Sequence, residues 1–118
     1  MEEIKLFDSE LKIMEILWCE GSLSAKQISI IASKDIGWNK NTTYTILKKL
    51  IDKKAVDRRE PGFLCSPLIT RDIVQKDETE RLIDKLWGGS KKAFFAAFVG
   101  EHLSEDEISE LKSLIEKQ

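Results

Sequence analysis

The sequence predicts a mainly α-helical protein with one small β-hairpin and a helical C-terminal region. Three observations support this fold class. Apolar residues recur at the three- and four-residue spacing of helices along most of the 118-residue chain. Two short strand-like segments flank a turn at Pro61–Gly62. Polar N-cap residues and the helix-breaking pair Gly88–Gly89 divide the remainder into separate helices.

Three helices are predicted before the hairpin. Ser9 is expected to cap the first helix, and Gly21 follows its last periodic residue. Ser24–Gln27 matches a capping box for a second helix, which ends near Asp35. A third helix is predicted to begin around Asn39 to Asn41, both of which are good N-cap residues. Its inward face is predicted to consist of Thr43, Leu47, Leu50 and Ile51, flanked by Ile46 or Tyr44.

The hairpin completes a recognisable arrangement. Ala55–Arg59 and Phe63–Leu68 are expected to pair as strands across the turn Glu60–Gly62. Three helices followed by a hairpin, with a polar and basic third helix, form a winged helix-turn-helix. In that fold the third helix enters the major groove of DNA and the hairpin lies along the adjacent backbone. Residues 1–70 are therefore predicted to be a DNA-binding domain.

Positive charge is concentrated in residues 38–59, although the whole chain carries a net charge of −2. This segment has seven basic and two acidic side chains, so 7 − 2 = +5, whereas residues 71–118 carry 8 − 11 = −3. A cationic face on an acidic body indicates a polyanionic partner, double-stranded DNA. A solvated helix face without a partner is the alternative. The seven basic residues are Lys40, Lys48, Lys49, Lys53, Lys54, Arg58 and Arg59.

The residues expected to contact DNA lie on the outer side of the third helix and on the hairpin. Asparagine and threonine in the N-terminal half of the helix are suited to base edges. Lysines further along the helix and arginines on the hairpin are suited to phosphates. The predicted DNA-binding residues are Asn41, Thr42, Thr45, Lys48, Lys49, Arg58 and Arg59.

Residues 71–118 are predicted to form a helical dimerisation region. Thr70, Ser90 and Ser104 are expected to begin three helices, the last with a capping box that ends at Glu107. A monomer rarely exposes so large an apolar patch, and a two-fold dimer is the commonest closed assembly. The alternative is that this region folds back on the first domain. The predicted interface residues are Leu82, Leu86, Trp87, Phe94, Phe95, Phe98, Leu111 and Leu114.

The sequence gives no support for catalysis, a metal or a cofactor. Cys19, Cys65 and His102 are far apart and in unlike contexts, and metal sites need three or four converging ligands. The acidic run Glu105–Glu107 is explained by a helix N-terminus. No apolar run approaches the roughly 20 residues of a membrane span, and the N-terminus lacks a signal-peptide pattern. A cytoplasmic protein without membrane insertion is expected.

Several segments resemble the BlaI/MecI penicillinase-repressor family of winged-helix regulators. Their order and spacing match that family from the first helix almost to the end of the chain. The matching segments are E-x-x-I-M-E-I-L-W at Glu10–Trp18, W-N-K-N-T-T-Y-T-I-L-K-K-L at Trp38–Leu50, K-K-A-V-D-R at Lys53–Arg58, S-P-L-I at Ser66–Ile69 and LSEDEISELKSLIEK at Leu103–Lys117.

The resemblance implies a homodimeric repressor that occupies a palindromic operator and blocks polymerase. It places Thr42, Thr45 and Lys48 where the family has groove-facing residues. The alternative function is a winged-helix adaptor that binds proteins without sequence-specific DNA binding.

The resemblance also implies release through a membrane sensor-protease pathway that leads to cleavage at an Asn-Phe bond. That bond corresponds here to Ala97–Phe98, in which the phenylalanine is kept and the asparagine is not. Copper-responsive relatives carry paired C-terminal cysteines that this sequence lacks, so copper sensing is not implied. Phe63 stands after the turn where the family has a basic residue, so wing contacts are expected from Arg58 and Arg59.

Overall fold

The computed structural model describes residues 4–118 and has the predicted mainly helical fold. Within these residues, six α-helices accompany a three-stranded antiparallel sheet. None of these helices is long and apolar enough to cross a lipid bilayer. The elements are α1 Asp8–Glu20, β1 Leu23–Ser24, α2 Ala25–Asp35, α3 Lys40–Asp52, β2 Val56–Arg59, β3 Leu64–Pro67, α4 Arg71–Leu86, α5 Lys91–His102 and α6 Glu105–Glu116.

Most helices begin directly after the residues that were predicted to cap their N-termini. Ser24 Oγ accepts a hydrogen bond from the Gln27 amide at 3.1 Å, and Gln27 Oε1 accepts one from the Ser24 amide at 2.9 Å. Asn39 caps α3 by accepting from the Thr42 amide at 2.8 Å. These side chains satisfy amides that have no partner inside the helix, which is why local sequence predicts them well. Thr70, Ser90 and Ser104 cap α4, α5 and α6 in the same way.

The predicted Ser9 cap of α1 is wrong. The helix begins at Asp8 with Phe7 as its N-cap residue. Instead of a capping hydroxyl, the carboxylate of Glu10 accepts the Phe7 amide at 2.8 Å. A carboxylate in the first turn satisfies a free amide and also lies at the positive end of the helix dipole.

The sheet contains a strand that the sequence did not predict. Strand β1 pairs antiparallel with β3, which pairs antiparallel with β2, so the order is β1-β3-β2. Leu23 lies opposite Cys65 in this register, and the Ser22 and Ser66 hydroxyls are 2.7 Å apart. Two residues are too few to produce an alternating pattern, so β1 exists only through its pairing. The predicted hairpin is confirmed, with slightly shorter strands.

The core of the winged helix lies between α1, α2, α3 and the sheet. Ile13 and Leu17 of α1 pack in one cluster with Leu47 and Leu50 of α3, and all four are fully buried. On α3 the fourth residue of the inner face, beside Thr43, Leu47 and Leu50, is Ile46, whereas the predicted Ile51 is only partly buried. The spacing of Thr43, Ile46, Leu47 and Leu50 defines which face of α3 turns outward.

The chain forms two compact units, one up to Asp77 and one comprising Glu78–Gln118. Their boundary falls within α4, and the boundary proposed from the sequence, after residue 70, stays a prediction. In the second unit, Gly88 and Gly89 have φ values of 58° and 83°, a left-handed conformation that ends α4 and favours glycine. There Trp87 and Phe94 contact each other edge to face with ring centroids 5.0 Å apart.

A buried ion pair joins α1 to the end of α3. Glu10 is 1% exposed, and its Oε1 lies 2.6 Å from Lys53 Nζ. The same ammonium donates to the Lys5 carbonyl oxygen at 2.9 Å and lies 4.5 Å from the centroid of the Phe7 ring. Lys53 is the C-cap residue of α3. The pair therefore attaches the last turn of α3 to the first turn of α1.

We expect Lys53→Met to lower the free energy of unfolding by about 2–4 kcal/mol. Breaking one partner of a buried pair typically costs about 3–5 kcal/mol, and Lys53 is 29% exposed, which reduces the effect. Adding Glu10→Gln should recover part of the loss because the uncompensated charge is removed. Urea unfolding at equal protein concentration measures these values. The neighbouring exposed lysine provides the control, since Lys54→Met should change stability by no more than about 0.5 kcal/mol; equal losses in both variants would contradict the role of the pair.

Candidate nucleic-acid interface

The outer face of α3 brings together five of the predicted DNA-binding residues. Their spacing along the helix places them on one side, opposite the buried stripe. All five side chains are exposed, and their contact with DNA stays a prediction. They are Asn41, Thr42, Thr45, Lys48 and Lys49. The polar residues occupy the N-terminal half of the face and the lysines the C-terminal half.

Hydrogen bonds within α3 restrict which donors and acceptors its polar residues have available for a ligand. Thr45 Oγ1 donates to the Asn41 carbonyl oxygen at 2.8 Å, so the hydroxyl proton is used inside the helix. Its lone pairs and its methyl group remain available. Asn39 Oδ1 accepts from the Thr42 amide, which commits this carbonyl oxygen to capping. Within residues 4–118 the Asn41 side-chain amide makes no recorded hydrogen bond and faces solvent.

The charge of residues 38–59 is less available than the sequence count suggests. Three of the seven cations are held in ion pairs: Lys53 with Glu10, Arg58 with Glu60 at 2.7 Å and Arg59 with Asp57 at 3.0 Å. Two of the three carboxylate partners, Glu10 and Glu60, lie outside residues 38–59. In the described part of the chain, Lys48 and Lys49 take part in no ion pair. The free positive charge is therefore concentrated on α3 rather than shared with the wing.

The wing, defined as β2, β3 and the turn between them, is attached to α3 through aromatic contacts. The Phe63 ring meets the Tyr44 ring edge to face, with centroids 5.7 Å apart. The Arg58 guanidinium carbon lies 3.6 Å from the centroid of the Phe63 ring. The Lys40 ammonium lies 5.5 Å from the centroid of the Tyr44 ring. These contacts thus connect the start of α3 to the wing, with Lys40 against the Tyr44 ring and Arg58 against the Phe63 ring.

Phe63 is held in an unusual backbone conformation. Its φ of 49° lies in the left-handed region, which bulky residues rarely adopt. Its amide donates to Glu60 Oε2 at 3.2 Å, and its carbonyl oxygen accepts from the Ala25 amide at 2.9 Å. Such conformations persist where surrounding contacts over-determine them. Sequence reasoning treated Phe63 as a missing basic residue, whereas the structure gives it a supporting role under Arg58.

The wing carboxylate Glu60 is stabilised in its charged form. The hydrogen bond from Arg58 is the main cause that lowers the pKa of Glu60, followed by the bond from the Phe63 amide. Sequence reasoning missed this pairing, although a signal was present. Residues two apart on a strand share a face, and Asp57/Arg59 and Arg58/Glu60 are both oppositely charged pairs at that spacing.

The second unit leaves apolar side chains of α5 and α6 at the surface. No residue of either helix is buried. Trp87 and Phe94 are half-buried within an aromatic cluster of the same unit. The other predicted interface residues are exposed: Leu82, Leu86, Phe95, Phe98, Leu111 and Leu114. Phe95, Val99, Ile108, Leu111, Lys112 and Ile115 line an apolar groove of about 450 Å³.

The cysteines and acids form no metal site in the described residues. No group of three or more His, Cys, Asp or Glu side chains in this part of the chain could hold a metal ion. Cys65 is a buried residue of β3, and burial raises the pKa of its thiol to about 11. Since the thiolate is the reactive form, burial and the raised pKa of the thiol disfavour reaction at Cys65 near neutral pH.

The family of the protein follows from comparison with known proteins. The penicillinase repressor family model matches residues 6–117. The chain belongs to the penicillinase repressor family. The resemblance found in the sequence is therefore confirmed.

Individual relatives in the penicillinase repressor family are similar over nearly their whole length. The penicillinase repressor of Bacillus licheniformis is 25% identical over 116 residues, which cover 96% of this chain and 91% of the relative. The methicillin resistance regulatory protein MecI of Staphylococcus aureus strain N315 is 26% identical over 117 residues, which cover 97% of this chain and 95% of the relative.

Solved structures from the family confirm the winged-helix fold. The solution structure of the DNA-binding domain of the repressor BlaI superimposes with a TM-score of 0.56 at 29% identity. The Bacillus licheniformis BlaI monomeric form in complex with the blaP half-operator gives a TM-score of 0.55 at the same identity. Each match covers 62% of this chain and 93% of the other.

The left-handed conformation of Phe63 predicts which of two variants at this position is the more stable. Phe63→Gly and Phe63→Ala both remove the ring, which we expect to lower the free energy of unfolding by about 1–2 kcal/mol through the lost aromatic and cation–π contacts. Glycine tolerates positive φ and alanine does not. Phe63→Gly should therefore be more stable than Phe63→Ala by about 0.5–1 kcal/mol in urea unfolding. An alanine variant as stable as the glycine variant would contradict the strained conformation.

Proposed function

We propose that the protein is a DNA-binding transcriptional repressor that inserts α3 into the major groove of its operator. The observation that carries this proposal is the outer face of α3, on which short hydrogen-bonding side chains precede two lysines that form no ion pair within residues 4–118. Membership of the penicillinase repressor family supports it. The protein would act by occupying DNA, and the family to which it belongs is not an enzyme class.

The residues of α3 divide into base-reading and phosphate-binding roles. Asn41 has a free amide, which matches the donor and acceptor pair of adenine. Because the Thr45 hydroxyl donates within the helix, this residue would accept from a base amino group or place its methyl against thymine. Thr42 lies beside them. Lys48 and Lys49 would bind phosphates, with one of them able to reach a guanine edge.

We propose further that the repressor acts as a homodimer. The support is the exposed apolar surface of α5 and α6, which includes Phe95, Phe98, Leu111 and Leu114. A two-fold pair would bury this surface in a single symmetric interface. Two winged helices related in this way read half-sites about one DNA turn, or a multiple of it, apart, so the operator should be palindromic. The BlaI complex with a half-operator is consistent with such a division of the site.

Release by proteolysis remains a proposal drawn from the family resemblance. The candidate bond Ala97–Phe98 lies inside α5, and both side chains are exposed. Ala97 replaces the asparagine of the family pattern. A membrane sensor-protease pathway acting at this bond would divide α5, separate its second half and α6 from the rest of the chain, and weaken the dimer.

We expect Lys48→Ala combined with Lys49→Ala to weaken binding to all duplex DNA. Fluorescence anisotropy would compare the promoter of the protein's own gene with a shuffled duplex over a series of salt concentrations. Each phosphate contact contributes about 0.9 to the slope of log K against log salt, so losing two contacts in each of two chains should reduce that slope by about 2–4.

A second pair of adjacent lysines provides the matched control. Lys91→Ala combined with Lys92→Ala removes the same charge from α5 and should leave the slope unchanged. An unchanged slope in the α3 variant would place the DNA-binding surface elsewhere. Failure of the unaltered protein to prefer the promoter would favour the protein-interaction adaptor over the repressor.

We expect Phe95→Asp or Leu111→Asp to convert the dimer to monomers in sedimentation velocity. Both side chains are exposed in the second unit, so the substitutions should leave its helices intact while placing a charge in the apolar interface. Ser109→Asp introduces the same charge at an exposed polar position of α6 and should remain dimeric. Circular dichroism checks the helical content of each variant. A dimer that persists in both apolar variants would locate the interface outside α5 and α6.

A further inference from the structure

The wing carries four charged side chains that cancel one another. Asp57, Arg58, Arg59 and Glu60 follow in sequence, so their charges sum to +2 − 2 = 0. Arg58 donates through Nε to Glu60 Oε1 at 2.8 Å, and its Nη2 lies 2.7 Å from the same oxygen. Arg59 Nε donates to Asp57 Oδ2 at 3.0 Å. Both arginines that were expected to bind DNA phosphates are therefore occupied by carboxylates of the wing itself.

The Arg58–Glu60 pair is held in place from several directions. The second oxygen of Glu60 accepts the Phe63 amide, and the Phe63 ring lies under the Arg58 guanidinium. Phe63 is itself fixed by the Tyr44 ring and by the Ala25 amide. Because all these partners belong to α2, α3 and the wing, the pair is part of the winged-helix framework.

We propose that Glu60, assisted by Asp57, limits the affinity of the repressor for DNA by competing with phosphates for the wing arginines. This inference rests on the proposed function. A carboxylate and a phosphate are alternative anionic acceptors for the same guanidinium donors. A phosphate that contacts Arg58 or Arg59 must therefore displace the internal carboxylate or share the guanidinium with it. The carboxylate released in the exchange also faces the negatively charged backbone.

The exchange is feasible because the ion pairs are exposed. Arg58 and Glu60 side chains are 46% and 59% exposed, and pairs of this kind contribute little to stability. Phosphates can therefore displace the carboxylates, but with a smaller gain than free arginines would provide. Glu60 and Asp57 thus limit affinity by binding the wing arginines, and their role requires no contact with the bases.

Glu60→Gln tests the proposal directly. Glutamine keeps an acceptor for the Phe63 amide but removes the negative charge that competes for Arg58. We expect binding to promoter and shuffled duplexes to tighten by about two- to fivefold for each wing, and by about four- to twenty-five-fold for a complex of two chains. The slope of log K against log salt should steepen by about 0.9 per wing.

Three further variants separate this effect from a general change of charge. Glu20→Gln removes the same charge from the exposed end of α1 and should change neither affinity nor slope. Arg58→Gln in the Glu60→Gln background should abolish the gain, because the released guanidinium is what contacts phosphate. Asp57→Asn provides an independent version of the test, since it frees Arg59 while leaving the Phe63 contacts unaltered.

The outcomes distinguish this inference from the proposed function. Unaltered protein that prefers the promoter, together with Glu60→Gln and Asp57→Asn variants whose affinity and slope do not rise, overturns the wing competition alone. An equal gain in Glu20→Gln also overturns it. Unaltered protein without preference for the promoter overturns the proposed function and this inference together. A gain that depends on Arg58 and appears as a steeper slope supports the inference, since a structural role for Glu60 would not produce it.

Discussion

The buried ion pair between Glu10 and Lys53 is the constraint on which the placement of α3 depends. Glu10 caps the first turn of α1 and also binds the C-cap residue of α3, so one carboxylate connects two helix ends. The inner face of α3 is fixed by Leu47 and Leu50 in the same core. Apolar packing sets the rotation of α3, and the ion pair sets where its last turn lies. The outward orientation of Thr45 and Lys48 follows from both.

The candidate DNA-binding surface therefore has two parts with different electrostatics. On α3, Lys48 and Lys49 are exposed, and the polar residues before them have partly committed hydrogen bonds. On the wing, the cations are paired with neighbouring carboxylates. Affinity is thus expected to come mainly from α3, with the wing adding a weaker contribution that its own acids control. The aromatic contact between Tyr44 and Phe63 keeps the two parts in a fixed relation.

Features that depend on neighbouring residues were predictable from the sequence. The caps at Ser24 and Asn39, the hairpin and the division of the C-terminal region all follow from contacts within a few residues. Features that depend on partners far apart in the sequence could not be predicted. Strand β1 exists only because β3 pairs with it, and Lys53 appeared to be a free surface cation because its partner lies 43 residues away.

The sequence by itself determined the fold class, the family and the face of α3 that carries the candidate DNA-binding residues. Helical periodicity, capping and local charge are encoded over short spans and indicate the fold class and the outer face of α3, whereas the family followed from the resemblance of several segments to the penicillinase-repressor family. The tertiary structure decided which cations remain free, since an ion pair requires proximity in space. It also decided the role of Phe63, whose backbone conformation and contacts with Tyr44 and Ala25 arise only when α2, α3 and the wing are assembled.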